Sequence, residues 1–158
     1  ELTVSEIRMR VWRVGRRSDS QYLLILRDDW GSPLIMVIGP CEAVAIWSAL
    51  RNDPVAERIR VPATHDLIET MLERLGGKLE KVVVDDLWNG VYYAKLHLAV
   101  NGERITIDGR PSDAVALALR VRAPLYVTEE VMAASREADS PPAAPDEEGA
   151  PPDEIEDL

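Results

Sequence analysis

The chain repeats itself. The segment Pro40-Cys41-Glu42-Ala43-Val44-Ala45-Ile46 returns as Pro111-Ser112-Asp113-Ala114-Val115-Ala116-Leu117, at an offset of 71 residues. Carried through without a gap, the same offset pairs Tyr22 with Tyr93, Gly31 with Gly102 and Arg51 with Arg122. A solenoid unit spans roughly 20–50 residues, so a period this long points to a duplicated half-domain, with halves at about 7–76 and 78–136. Residues shared by both halves serve folding. Those carried by one half alone are open to function.

Ile7, Met9 and Val11 alternate with Arg8 and Arg10, the period-2 signature of a half-buried strand. Residues 21–27 and 34–38 are further apolar runs, joined by the turn-rich Asp28-Asp29-Trp30-Gly31-Ser32-Pro33. A helix is predicted from Pro40 to about Arg51, with Ala43, Ile46, Trp47 and Leu50 on one face. A second, capped by Thr64, carries Leu67, Ile68, Met71, Leu72 and Leu75 as a helical stripe and ends at Gly76-Gly77. The second half repeats the plan with strands at 79–84, 91–100 and 104–108, a helix from Pro111 to about Val121, a strand at 125–127 and a helix over 129–137. Tyr92, Ala94, Leu96, Leu98 and Val100 alternate as one apolar face, and Asn101-Gly102 is a hairpin turn. Hairpins in place of βαβ crossovers predict an α+β fold. Two β-β-β-α-(β)-α halves would form a mainly antiparallel sheet covered by helices.

The net charge of −10 is concentrated at one end. Nine of the 28 acids fall in residues 137–158, which hold no base, leaving 19 acids against 18 bases over residues 1–136. That tail also carries Pro141, Pro142, Pro145, Pro151 and Pro152. Such a segment buries too little apolar surface to offset its ordering entropy, so a disordered acidic tail is expected after one domain at 1–136. Cys41 is the only cysteine, which excludes an intramolecular disulfide and fits a reducing, cytoplasmic setting. No apolar run is long enough to span a bilayer, and neither a signal peptide nor a membrane partner is expected. Arginine greatly outnumbers lysine (only Lys78, Lys81 and Lys95), as in proteins of GC-rich bacterial genomes. Exposed sheet edges predict self-association, most simply a two-fold dimer.

The sharpest segment for chemistry is Asp108-Gly109-Arg110-Pro111-Ser112-Asp113, at a strand end and helix start where backbone N–H groups favour anions. Asp108 and Asp113 could hold a divalent metal while Arg110 clamps a phosphate. Alternatively, Asp113 and its counterpart Glu42 cap their helices, and Asp108 and Arg110 pair to pin the loop. Under the offset, Asp108 and Arg110 correspond to Val37 and Gly39, so no shared folding requirement accounts for them. Thr64-His65-Asp66 with Glu69 is the second candidate, because His65 and Glu69 share a helical face at metal or acid–base spacing. Helix-start acids also occur without any such role. Asp85-Asp86 with Trp88-Asn89-Gly90 reads as an acidic loop, able to hold hydrated Mg²⁺ or simply to be solvated. His97, mid-strand beside Lys95, reads as exposed or partner-facing, and Cys41 as a small helix-start residue. Arg8, Arg10, Arg13, Arg16 and Arg17 surround Trp12 without an acid, which suits nucleic-acid backbone and stacked bases, or else a charged edge strand. The acidic tail would compete for that basic strand. No Walker loop, dinucleotide fingerprint, Cys-x-x-Cys pair or nucleophile elbow is present.

Four segments carry a resemblance: Ile38-Gly39-Pro40-Cys41-Glu42-Ala43, Thr64-His65-Asp66-Leu67, Leu87-Trp88-Asn89-Gly90-Val91-Tyr92-Tyr93-Ala94 and Asp108-Gly109-Arg110-Pro111-Ser112-Asp113-Ala114. Together, over roughly residues 4–136, they resemble the bifunctional nuclease domain family. Membership implies hydrolysis of phosphodiesters in RNA and DNA with Mg²⁺ or Mn²⁺. Read from the residues themselves, Asp108 and a second carboxylate, Asp113, Asp66 or Glu69, would hold the metal, with His65 and Arg110 beside them and Arg8, Arg10, Trp12 and Arg13 on the nucleic acid. An oligomeric binding or regulatory module without catalysis is the alternative, favoured by the near-neutral body and the sparse carboxylates.

Overall fold

In the computed structural model, residues 4–51, 62–139 and 156–157 are described. Strands β1 (Glu6–Arg16), β2 (Tyr22–Arg27) and β3 (Pro33–Ile38) form an antiparallel meander and lead into helix α1 (Pro40–Arg51). Helix α2 (Thr64–Arg74) follows, then a second meander of β4 (Gly77–Trp88), β5 (Val91–Val100) and β6 (Glu103–Gly109). Helix α3 (Pro111–Val121), strand β7 (Leu125–Thr128) and helix α4 (Glu129–Asp139) complete the body. The sheet order is β3-β2-β1-β7-β4-β5-β6, and only the β4–β7 pairing is parallel. This is the expected α+β fold with a mainly antiparallel sheet.

β1 joins the two meanders. Its first residues, Glu6–Met9, pair with β7, while Arg10–Arg16 pair with β2 across an irregularity between Val11 and Arg13. The Asn89-Gly90 and Asn101-Gly102 turns both have positive φ at both residues, the twist a two-residue hairpin needs. The expected acidic loop at 85–90 is therefore corrected. Asp85, Asp86 and Trp88 belong to β4, because Asn89-Gly90 alone makes the turn.

The core lies between the sheet and the helices. The even-numbered face of β5 packs inward as expected, with Ala94 and Leu98 buried and Tyr92, Leu96 and Val100 against the cluster. α3 is the central helix, with every residue from Pro111 to Ala118 except Asp113 buried. Its small residues Ala114, Ala116 and Ala118 fit a helix packed against both α1 and α2. Most of the apolar stripe of α2 faces outward, with Leu67, Ile68, Met71 and Leu75 exposed. The helix turns His65 and Leu72 inward instead, since polar bonds from its first turn orient it on α3. Thr64 is the first helical residue rather than the cap, and Asp66 Oδ2 accepts the Ala63 N–H at 2.8 Å.

The two halves share a meander followed by a helix at Pro40 or Pro111, but duplication of whole halves is not confirmed. The offset counterpart of β7, residues 54–57, lies outside the described residues. In the expected tail, Glu137–Asp139 continue α4, and Glu156–Asp157 form a short strand, β8, on Arg16 and Gly15 of β1. Residues 140–155 lie outside the described residues.

Candidate active site

Three helix starts meet at one arginine. Arg110 is the N-cap of α3, held extended at φ −69° and ψ 140° before Pro111. Its Nε donates to Asp113 Oδ2 and its Nη2 to Glu42 Oε1, both at 2.7 Å. Asp113 Oδ1 lies 3.0 Å from Nε2 of His65, in the first turn of α2. The chain Glu42–Arg110–Asp113–His65 thus joins the first turns of α1, α3 and α2, whose positive dipole ends favour negative charge there. Glu42 and Asp113, equivalent under the offset, both grip Arg110. Asp113 thereby holds the N-cap residue of its own helix, and the Glu42 carboxylate lies over Gly39, the residue before its own.

Exposure within this chain is graded. His65 is 7 % exposed, whereas the Arg110 side chain is 67 % exposed. Burial by itself would push the Asp113 carboxyl up, but hydrogen bonds from Arg110 and His65 outweigh it and hold the group below the ordinary carboxylate value. Its bonds to Asp113 and Glu42 raise the Arg110 guanidinium further. With Asp113 ionised, the hydrogen on Nε2 of His65 points at Oδ1, and in the neutral ring the lone pair falls on Nδ1. Arg110 spends Nε and Nη2 on its two carboxylates.

Behind this chain lies a buried ion pair that the sequence did not announce. Arg120 Nε donates to Asp66 Oδ1 at 2.8 Å, and Nη1 donates to the carbonyls of Ala45 and Ala116. The Arg120 side chain is 5 % exposed, so one guanidinium links α1, α2 and α3. Nothing in the local pattern separates Arg120 from other helical arginines. Its role depends on α1 and α2 flanking α3.

The remaining candidates lie apart. Asp108 is 88 % exposed and pairs with Lys95, which also binds Asp85, so the expected Asp108–Arg110 contact is not made. Both carboxylates push the Lys95 ammonium up, Asp85 more than Asp108. That pairing was legible, because a two-residue Asn101-Gly102 turn sets Lys95 opposite Asp108. Glu69 has partners of its own, and Asp86 faces Tyr93 across the hairpin. His97, between Lys81 and Thr106, shares the outer face of the sheet with Lys95, as expected. Cys41 is exposed. On β1, Trp12 has the Arg27 guanidinium 3.4 Å and that of Arg13 5.4 Å from its ring centre. Arg8 lies over Tyr126, and Arg10 reaches Asp29 at 3.8 Å.

Among the described residues, no three His, Cys, Asp or Glu side chains converge as a metal site. The carboxylates assigned to a metal each face a cation of the chain or lie apart, Asp66 on Arg120, Asp113 on Arg110 and Asp108 on Lys95. This donor set does not fit a resident Mg²⁺ or Mn²⁺.

Comparison with known proteins agrees with the resemblance. The model of the bifunctional nuclease domain matches residues 24–139. An uncharacterized protein of Mycobacterium tuberculosis is 40 % identical over 131 residues, covering 82 % of this chain and 75 % of that protein. The rice (Oryza sativa subsp. japonica) protein named bifunctional nuclease 1 is 32 % identical over 126 residues, which are 75 % of this chain but 37 % of the plant protein. Bifunctional nuclease 2 of Arabidopsis thaliana is 26 % identical over 113 residues, 70 % of this chain and 33 % of its own. The chain belongs to the bifunctional nuclease domain family. It spans about a third of the plant relatives' length. No helix of the described residues is long and apolar enough to cross a membrane.

Proposed function

We propose that the chain is a nuclease that hydrolyses phosphodiester bonds of RNA and DNA, with its reaction centre at the junction of His65, Asp113 and Arg110. The observation that carries the reading is the 3.0 Å contact of His65 Nε2 with Asp113, beside an arginine whose side chain is largely exposed. Asp113 fixes the imidazole in place. As water attacks phosphorus, Nδ1 of His65 accepts its proton and the bond to the leaving ester oxygen breaks, that oxygen taking the proton from the imidazole; a nucleophile common to both nucleic acids is not the ribose 2′-hydroxyl. Arg110 takes a non-bridging phosphate oxygen, and the helix starts add their positive ends to the charge developing there. No step passes through a metal. Arg8 and Arg13 guide the backbone of a long substrate.

A second reading keeps the binding and drops the chemistry, making the chain an oligomeric binding module. It is favoured by the 7 % exposure of His65 and by the full pairing of Asp113. Labelled single-stranded RNA and DNA incubated with wild-type chain, with EDTA, and with His65→Gln decides between them. The nuclease reading expects cleavage that survives EDTA and is lost in His65→Gln. Cleavage abolished by EDTA would move the chemistry to a metal. Binding without cleavage by a pure preparation establishes the module.

A further inference from the structure

Beside Arg110 opens a groove that the reaction centre does not use. Its volume is about 410 Å³, and its walls include Ile35 and Val37 of β3, Val91 and Tyr92 of β5, and Asp139 at the end of α4. β3 is an edge strand, paired among the described strands with β2 alone. About half of its N–H and C=O groups therefore face away from β2. Ile35 and Val37 are 39 % and 61 % exposed, so apolar side chains border those free polar groups.

A flat apolar ligand with donors and acceptors along its rim suits such a surface, and a phosphate attached to it suits the exposed Arg110. A nucleobase has both properties. The groove's volume lies within the range of about 300–1,000 Å³ that holds small ligands. A base whose face and rim both meet the protein is neither stacked nor paired with another. We infer that this groove is a base-binding subsite, taking one unpaired nucleobase whose phosphodiester rests on Arg110. It therefore selects single-stranded over duplex nucleic acid. The inference rests on the phosphodiester reading above and adds what holds the substrate. Tyr92 and Val91 meet the face of the base, the β3 backbone meets its rim, and Asp139 accepts from an exocyclic amino group.

The test is fluorescence anisotropy at 4 °C with three labelled probes: a single-stranded hexanucleotide, an abasic chain of equal phosphate number, and a duplex of equal length. The full chain is compared with Val37→Glu, Val91→Glu and Arg110→Ala. Val37 and Val91 are 61 % and 52 % exposed, so both glutamates are accommodated without disturbing the core, and matched melting curves verify this. Wild type is expected to prefer the single strand over the other two probes by about tenfold, the worth of one stacked base. Each glutamate variant should remove that preference and leave abasic binding unchanged. Equal binding of single-stranded and abasic probes, or a preference that persists in both variants, overturns the subsite. In that case loss of all binding in Arg110→Ala still upholds the phosphodiester reading. Failure of wild type to bind any probe overturns both.

Discussion

Nε2 of His65 and Oδ1 of Asp113 sit 3.0 Å apart although 48 residues separate them in sequence. The contact places a titratable ring and a carboxylate against the exposed Arg110 in the first turns of adjoining helices. If it orients a proton-transferring imidazole, Asp113→Asn should lower cleavage by about 10²–10⁴-fold, the usual worth of acid–base catalysis. Substrate binding should change far less. Single-turnover rates and anisotropy on the same preparation measure both, and equal losses in the two would assign Asp113 to binding alone.

Arg120 predicts stability instead of activity. Its guanidinium is buried on Asp66 and two carbonyls, so Arg120→Ala takes one donor from the Asp66 carboxylate and one from each carbonyl. Breaking one side of a buried pair costs about 3–5 kcal/mol. Urea unfolding should show a loss of that order. A loss under about 1 kcal/mol would mean that water replaces the guanidinium.

The low Asp113 carboxyl predicts a pH signature. Its folded value is depressed, so its contribution to stability is present above the ordinary carboxylate value and is lost as pH falls through the folded one. The gap in melting temperature between wild type and Asp113→Asn should hold steady from pH 7 to about 5 and shrink below about pH 4. A gap that stays constant down to pH 2 contradicts the assignment of Asp113 as the ionised partner.

The exposed face of α2 predicts self-association. Leu67, Met71 and Leu75 are 54 %, 53 % and 71 % exposed along one stripe, and a patch of this kind marks a contact surface. Sedimentation at tens of micromolar should show a dimer that Met71→Glu converts to monomer. A monomeric wild type ends the idea.

The acidic end of the chain pairs Glu156 with Arg16 and Asp157 with Gly15 at the basic strand β1. Truncation after Asp139 should then tighten oligonucleotide binding at low salt, with the difference fading as salt is raised. Identical affinities with and without residues 140–158 would leave those residues no part in substrate competition.

Local pattern alone determined most of the secondary structure. Period-2 alternation along 91–100, Asn-Gly turns that admit positive φ and Pro at helix starts each act over a few residues, so they can be read in one dimension. The Arg110–Asp113 pair is equally local, three residues apart at a helix start. Tertiary structure decided what those residues meet. The Leu67–Leu75 stripe has helical periodicity, yet periodicity shows only that a face exists and not whether sheet or solvent receives it. Asp66 carries the pattern of a helix-start acid, but the packing of α2 on α3 gave it Arg120. Likewise His65 met Asp113, and Glu42 met Arg110, only because three helix starts converge over one sheet. Contacts spanning 48, 54 and 68 residues are products of chain topology. Single-sequence spacing holds no record of them.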